Sequence, residues 1–283
     1  MTAEDRLILG LIGDNIAQSR APLLHRLAGR QSGIEVRYDR LVPRARDQDF
    51  RTVFDSCAPE GYRGVNITYP YKEVAAKMVR IEDPLVRAMG AVNTVLFEPG
   101  GPVGHNTDFT GFQSAYRAVR GETPPGSVLI IGCGGVGRAV AFALVGLGAT
   151  RIRLVDRDSA QAASLAEAIR AVSGDAGVIL AEVPEAAAHG VDGVINCTPV
   201  GMVGHGGTPI DAVALAGAQW AFDAVYTPSD TQFLGDAARH GLSVVSGWEL
   251  FFWQGVHAWK EFSGTPLDEA ALREALLTTT ETA

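Results

Sequence analysis

Lysine is nearly absent from this chain. Of 24 basic residues only three are lysine, Lys72, Lys77 and Lys260. Wherever a generic surface cation was needed the sequence uses arginine, so each remaining amine is a candidate for chemistry that requires one. Cysteine is scarce as well. Cys57, Cys133 and Cys197 are too few and too scattered for a disulfide framework, which points to a reducing, cytoplasmic setting. Positive charge is in deficit, with a net charge of −8, and this excludes a nucleic-acid binder that works by neutralising phosphates. Long apolar runs are missing. The most apolar stretch, Val128 to Ala149, is interrupted by Arg138 and rich in glycine, and it reads as a strand followed by a helix rather than a membrane span. The N-terminal MTAEDRLILGLIG puts acids ahead of its apolar residues and has no basic flank, so no secretion signal is expected.

What is present is an alternation of strand and helix. The 283 residues, 47% hydrophobic and 20% charged, suit two globular domains at roughly 150 residues each. Strands are expected at Leu7–Ile12, Val36–Leu41, Gly64–Thr68, Ala91–Phe97, Val128–Ile131, Arg151–Asp156, Val178–Ala181, Val194–Asn196, Ala221–Val225 and Ser243–Val245. Helical spacing of Phe112, Ala115, Tyr116 and Val119 marks Gly111–Arg120 as an amphipathic helix. Near the end, Thr265, Pro266 and Asp268 read as an N-cap, a proline at the first helical position and an acidic third position. The alternation predicts an α/β protein with parallel sheets. An N-terminal α/β domain is expected over 1–106 and a Rossmann-like, doubly wound parallel-sheet domain over 107–245. The tail, 246–283, is able to return to the first.

The second block opens on a dinucleotide fingerprint. The strand Val128–Ile131 runs into GCGGVG, which supplies Gly132, Gly134, Gly135, Val136 and Gly137, and then into an alanine-rich helix. Glycines permit a tight strand-to-helix turn and close backbone approach to a pyrophosphate, and the helix N-terminus offers unpaired N–H groups to that anion. The next strand ends at Asp156, nineteen residues after Gly137, where a carboxylate binds adenosine ribose hydroxyls. A solvated strand-end carboxylate is the plainer role for Asp156. An acid there also repels a 2′-phosphate, by roughly 4 kcal/mol for unit charges about 4 Å apart at an effective dielectric near 20. Asp158 adds to the repulsion and Arg157 offsets part of it. NAD is therefore expected, with NADP used more weakly.

Short polar clusters sit at the strand ends. They are IGDNIAQSRAP (12–22), NITYPYKE (66–73), GAVNTV (90–95), GHNTDFTGF (104–112), NCTPVGM (196–202), DAVYTP (223–228) and WELFFWQGVHAWKEFSG (248–264). In this order, around a dinucleotide fingerprint, they resemble the shikimate/quinate dehydrogenase family along nearly the whole chain. The resemblance implies a substrate domain for a cyclic polyhydroxy acid, a Rossmann domain for the nicotinamide cofactor, and hydride transfer to or from a ring carbon. It places the catalytic pair on Lys72 and Asp108. An amine beside a carboxylate can give or take the hydroxyl proton as hydride moves. A solvated lysine at a helix start and an N-cap aspartate are the plainer roles for these two. Lys77 and Lys260 lack such context and read as surface residues. The resemblance further implies that Ser19, Asn66, Thr68, Asn93, Tyr226 and Gln254 bind substrate. Thr198, Gly201, Met202 and Gly247 would lie along the cofactor with the glycine loop, Asp156 and Arg157. His105 is a weaker candidate for a general base. The six histidines form no metal-ligand cluster, and none is needed. The partners implied are small molecules, with neither nucleic acid nor membrane, acting on a monomer or homodimer.

One position departs from the family pattern. The carboxylate clamp usually has a hydroxyl residue on each side of a basic one, whereas this chain reads Ser19-Arg20-Ala21-Pro22. Losing a hydrogen bond to a charged group weakens binding by about 1.5–3 kcal/mol unless it is replaced. Alanine there would also be a poor N-cap. The gap at Ala21 suits a substrate with an extra hydroxyl near its acid-bearing carbon, as in quinate. The motifs TYPYK and NTDFTGF and the acidic ribose position resemble the NAD-using branch in the same way. A dehydrogenase of an aminated shikimate-like acid and a non-catalytic NAD or metabolite sensor share much of the pattern.

Overall fold

The computed structural model describes residues 6–173 and 177–279. The chain divides into two compact units, Met1–Thr107 with Gln254–Ala283, and Asp108–Trp253.

The first unit is built on a five-stranded sheet. Its strands are β1 (Arg6–Ile12), β2 (Glu35–Leu41), β3 (Gly64–Ile67), β4 (Thr94–Glu98) and β5 (Gly101–His105), ordered β2-β1-β3-β4-β5. Strands β1, β2 and β3 are parallel, whereas β4 runs antiparallel to β3 and β5 antiparallel to β4. The sheet is thus mixed, which corrects the expectation of parallel sheets for this unit. Two consecutive strands joined by the tight Glu98-Pro99-Gly100-Gly101 turn can pair only antiparallel. On one side of the sheet, helix α2 (Phe50–Cys57) drives Phe50, Val53 and Phe54 into a core with Ile12, Leu41, Val65, Ile67 and Val95. On another surface His25, from helix α1 (Ala21–Ser32), stacks on Tyr38 of β2 at 4.9 Å and lies edge-on to Phe262. The short helices α3 (Lys72–Ala76) and α4 (Pro84–Met89) follow β3.

The second unit carries a six-stranded sheet in the order β11-β10-β9-β6-β7-β8, with every neighbouring pair parallel. The strands are β6 (Ser127–Ile131), β7 (Arg151–Val155), β8 (Gly177–Leu180), β9 (Gly193–Asn196), β10 (Trp220–Asp223) and β11 (Ser243–Val245). The intervening helices include α5 (Thr107–Arg120), α6 (Gly135–Gly146), α7 (Ser159–Ser173), α8 (Pro184–Ala187) and α9 (Gln232–Arg239). Strand order reverses between β6 and β9, and this makes the sheet a doubly wound Rossmann-like one whose ligand crevice lies beyond the carboxyl ends of those strands. Strands β6, β9 and β10 are almost wholly buried, which accounts for their unbroken apolar runs. Helix α10 (Gly247–Ser263) carries the chain back to the first unit, and α11 (Glu269–Thr278) ends it.

Several local expectations are corrected. Helix α5 begins at Thr107 rather than Gly111, so Asp108 lies inside its first turn and is not the N-cap. Helix α11 begins at Glu269, capped by Asp268, whose carboxylate accepts from the Ala271 N–H at 3.0 Å; Thr265 and Pro266 precede it. Arg20, not Ala21, occupies the cap position of α1, and Ala21 is its first residue, so a capping penalty does not fall on the alanine. The chain crosses between the units a second time within α10, between Trp253 and Gln254.

Candidate active site

In the first unit the polar motif residues gather at the carboxyl ends of β1 and β3. Beyond β1, the loop 13–20 carries Ser19, which is buried and whose Oγ accepts the Ala21 N–H at 3.3 Å. Arg40 of β2 donates to the Ser19 carbonyl at 2.7 Å. Beyond β3, the Thr68 N–H bonds the Ile12 carbonyl at 2.9 Å, and Tyr71 caps the helix that Lys72 begins. The two loops are tied together, because the Asp14 N–H donates to the Tyr69 carbonyl and the Tyr71 phenol donates to Asp14 Oδ1 at 2.8 Å. Burial and the Asp14 carboxylate raise the Tyr71 phenol above its ordinary range, so it stays a donor.

Lys72 is 8% exposed, whereas Lys77 and Lys260 are exposed. Burial of an ammonium is costly unless it has a role or partners, and burial separates this lysine from the other two. Asn66 and Asn93 are 6% and 3% exposed and belong to one hydrogen-bonded cluster with Thr94 and Thr107. Register produces this cluster, since Asn66 on β3 faces Thr94 on β4 directly. Gln254, on α10, is half-buried and belongs to this unit. His105, on the edge strand β5, has its Nδ1 3.8 Å from Glu261. A solvent-open pit of about 560 Å³ beside Leu7, Arg63 and Glu261 lies at the opposite, amino ends of β1 and β3. Ligands of parallel α/β sheets sit beyond the carboxyl ends, so that pit is set aside.

In the second unit the glycine loop lies at the reversal point of the sheet. Gly132 has φ +99°, and a side chain there would collide with Cys197 backbone atoms at 2.8 Å. A Cβ on Gly137 would lie 2.0 Å from the Gly132 carbonyl oxygen, so the turn closes only with glycine at that point. Gly134 is the N-cap of α6 without any side-chain cap, and a Cβ there would meet nothing. The first-turn N–H groups of α6, from Gly135, Val136 and Gly137, have no carbonyl inside the helix to bond. An uncapped helix start with open space in front of it is the arrangement a pyrophosphate requires. Asp156 reinforces the loop, as its Oδ2 accepts the Cys133 N–H at 2.7 Å and its Oδ1 accepts the Asp158 N–H at 2.9 Å. Each oxygen keeps a second acceptor site for a ribose hydroxyl. Arg157 is exposed beside it.

Thr198, Gly201 and Met202 follow β9, and their segment is held by a buried clasp. Asp223, at the end of β10, accepts from Asn196 Nδ2 at 2.9 Å, from the Val225 N–H at 3.0 Å and from the Thr231 hydroxyl at 2.6 Å. Asn196 Oδ1 in turn accepts from the Thr198 N–H and hydroxyl. Burial pushes the Asp223 carboxyl up to about 6 although its three donors favour the charged form. Tyr226 stacks on Phe251 at 4.9 Å. Gly247 begins α10 against the Val225 carbonyl, where a Cβ would lie 2.3 Å away. Asp108, in the first turn of α5, is 5% exposed. The predicted residues therefore fall into two groups. Ser19, Asn66, Thr68, Lys72, Asn93, His105 and Gln254 belong to the first unit, and the rest belong to the second. Sequence reasoning passed over Tyr38, Thr94 and Asp223, although Thr94 and Asp223 lie inside quoted motifs. Among the described residues no group of three or more His, Cys, Asp or Glu could hold a metal ion.

Comparison with known proteins agrees with this layout. Residues 11–95 match the shikimate dehydrogenase substrate binding domain, and residues 125–202 match the ThiF family. The chain is 37% identical over 279 residues to quinate/shikimate dehydrogenase (NAD(+)) of Corynebacterium efficiens, covering 96% of this chain and 98% of that one. The chain belongs to the shikimate/quinate dehydrogenase family. It is similar to the quinate dehydrogenase from Corynebacterium glutamicum solved in complex with NAD, with a TM-score of 0.89 and 34% identity, covering 97% of this chain and 100% of that one. It is also 34% identical to shikimate dehydrogenase (NADP(+)) of Pseudarthrobacter chlorophenolicus, covering 95% and 94% of the two chains. Family membership accounts for both the mixed sheet of the first unit and the Rossmann-like sheet of the second.

Proposed function

We propose that this protein is an NAD-preferring dehydrogenase of the ring secondary alcohol of a cyclic polyhydroxy acid, shikimate or quinate. The observation that carries the reading is the burial of Lys72 at the carboxyl end of β3, in the same unit as the amides of Asn66 and Asn93. When bound, the nicotinamide supplies the hydride acceptor or donor. In the direction of oxidation the Lys72 Nζ takes the hydroxyl proton as the carbon gives up hydride, and in reduction an Nζ–H returns it to the carbonyl oxygen. Asp108 is the carboxylate partner of that amine. Ser19 and Thr68 supply hydroxyls for the substrate carboxylate, and Asn66, Asn93 and Gln254 supply amides for its ring hydroxyls. Tyr226 lines the place where ring and cofactor meet.

The glycine loop and the start of α6 hold the pyrophosphate, Asp156 holds the ribose, and Thr198, Gly201, Met202 and Gly247 flank the nicotinamide half. A carboxylate already bonded to the loop cannot easily swing away from a 2′-phosphate, which supports NAD over NADP. Ala21, 7% exposed at the first turn of α1, leaves room for the extra hydroxyl of quinate. The protein acts on small molecules as a monomer or homodimer in the cytoplasm. Among the described residues no helix is long and apolar enough to cross a membrane. Absorbance at 340 nm, followed with NAD or NADP and a panel of shikimate, quinate and ring-modified analogues, tests the reading. Reduction of NAD by shikimate or quinate, faster than of NADP, is expected. Silence with every member would overturn the activity, and faster NADP reduction would overturn the cofactor preference.

A further inference from the structure

The two candidate substrate amides are not free to present either end. Backbone groups fix which atom is which. The Thr107 N–H, which can only donate, reaches one terminal atom of Asn93 at 2.7 Å, so that atom is Oδ1. The Asn93 carbonyl, which can only accept, is 3.3 Å from a terminal atom of Asn66, so that atom is Nδ2. The remaining capacity follows by counting. Asn66 gives its two N–H groups to the Asn93 carbonyl and to Thr94 Oγ1 at 3.0 Å, and its Oδ1 accepts the Tyr38 phenol at 2.8 Å. That oxygen also faces the His25 ring, and with both N–H groups spent it is the only atom Asn66 can offer a ligand, as an acceptor. Asn93 Oδ1 is crowded by the Thr107 N–H, the Thr107 hydroxyl and the Thr94 hydroxyl, and one of its two N–H groups reaches Thr107 Oγ1 at 3.0 Å. What Asn93 still offers is one donor.

The residue common to both amides is Thr94, which is wholly buried. Its hydroxyl accepts from Asn66 and has its own proton within reach of Asn93 Oδ1 at 3.1 Å. We propose that Thr94 is a positioning residue that locks the two amides in opposite senses, Asn66 as acceptor and Asn93 as donor. The inference rests on the dehydrogenase reading above, with Asn66 and Asn93 as the amides that meet the ring hydroxyls. A site locked in this way is selective for a polyol. A hydroxyl suits either amide, because it both donates and accepts. A ring ammonium, which can only donate, suits Asn66 but leaves the Asn93 N–H facing another donor. A deoxy position leaves a buried polar atom without a partner.

The test compares wild type, Thr94→Val and Thr94→Ser on shikimate, quinate, a ring-deoxy analogue and a ring-amino analogue, with NAD. Valine keeps the shape and removes the hydroxyl's bonds to Asn66, Asn93 and Thr107, whereas serine keeps the hydroxyl. Thr94→Val should lower kcat/KM for the polyol by about tenfold to a hundredfold, chiefly through KM, and should narrow the ratio between polyol and analogues. Thr94→Ser should restore most of that ratio, and NAD affinity should be unchanged in both. Should the valine variant fail to fold, Tyr38→Phe removes another anchor of Asn66, the one on its Oδ1, and the same narrowing is expected. A ratio unchanged in Thr94→Val, or in the phenylalanine variant used in its place, overturns the lock. A serine variant no better than valine overturns it too. Wild type that turns over no polyol overturns the dehydrogenase reading itself, an outcome distinguishable from the other two.

Discussion

Replacing His25 by glutamine should change how stability depends on pH, and the size of the change follows from its surroundings. His25 is 1% exposed, stacked on Tyr38, tilted against Trp259 and edge-on to Phe262, with its Nδ1 buried and without a partner. Burial lowers its pKa from 6.5 to about 3, and the contact with Asn66 offsets only part of that. In the folded protein the ring is therefore neutral above about pH 3, while in the unfolded chain it takes up a proton below about 6.5. Between those values the unfolded state binds more protons, so stability falls as pH falls. From pH 7.5 to pH 5 the loss is about 2 kcal/mol, at roughly 1.4 kcal/mol per pH unit once below 6.5. Glutamine retains a polar terminus but does not titrate. Urea unfolding of wild type and His25→Gln at a series of pH values should give two curves that converge by about 2 kcal/mol between pH 7.5 and pH 5. All other titrating groups cancel in the difference. Two curves that remain parallel would refute the reasoning, since they would mean that His25 is not held neutral by its aromatic surroundings.

Three further outcomes are expected. Lys72→Arg keeps the positive charge but has no proton to exchange near neutrality, so kcat should fall by about 10²–10⁴-fold while NAD affinity and melting temperature hold. Near-normal turnover would remove Lys72 from the proton step. The two loop glycines should separate by assay. In Gly137→Ala the new carbon collides with the Gly132 carbonyl, and thermal unfolding should show a loss of about 1–3 kcal/mol without any ligand. Gly134→Ala meets no protein atom at an ordinary φ of −71°, so its melting temperature should match wild type, while titration calorimetry should show weakened NAD binding. Ala21→Ser adds a hydroxyl beside Ser19 and should lower the KM for shikimate relative to quinate by up to about tenfold, and an unchanged ratio would count against the reading of that gap.

Sequence pattern located most of the architecture because the pattern is local. Apolar runs such as Val128–Ile131 are buried on both faces, and a strand of that kind announces itself. Strand β5 did not, since Gly101, Pro102 and Gly104 are poor strand formers, and only the tertiary pairing with β4 holds them extended. The start of α5 was placed four residues late because its first turn shows no apolar periodicity. The polar motifs pointed to Lys72, Asn66 and Asn93, and the glycine spacing pointed to the start of α6. The roles of Thr94 and Tyr38 could not be read in the same way. They depend on the register Asn66↔Thr94 and on β2 lying beside β1, both of which join residues far apart in the chain. Asp223 was quoted within a motif, but its burial and three donors belong to the packed loops and not to any spacing.

The division of the chain has a consequence for how the molecule is made. The second unit is one continuous stretch, whereas the first draws on both ends of the polypeptide. Helix α1 is secured by α11, through Arg20 donating to the Leu276 and Thr279 carbonyls and through paired 3.0 Å bonds between Gln31 and Asp268. Trp259 and Phe262 of α10 complete the aromatic cluster around His25. During synthesis from the N-terminus, the Rossmann-like unit has all its residues before those partners exist. Helix α1 is made early and must wait, with Leu24 lacking its neighbour Gly255 and His25 lacking Trp259 and Phe262, for the segment after residue 253. The unit that carries Lys72 is begun before the nucleotide fold and finished after it, and a chain cut short after residue 253 would own a complete nucleotide fold and an unfinished substrate unit.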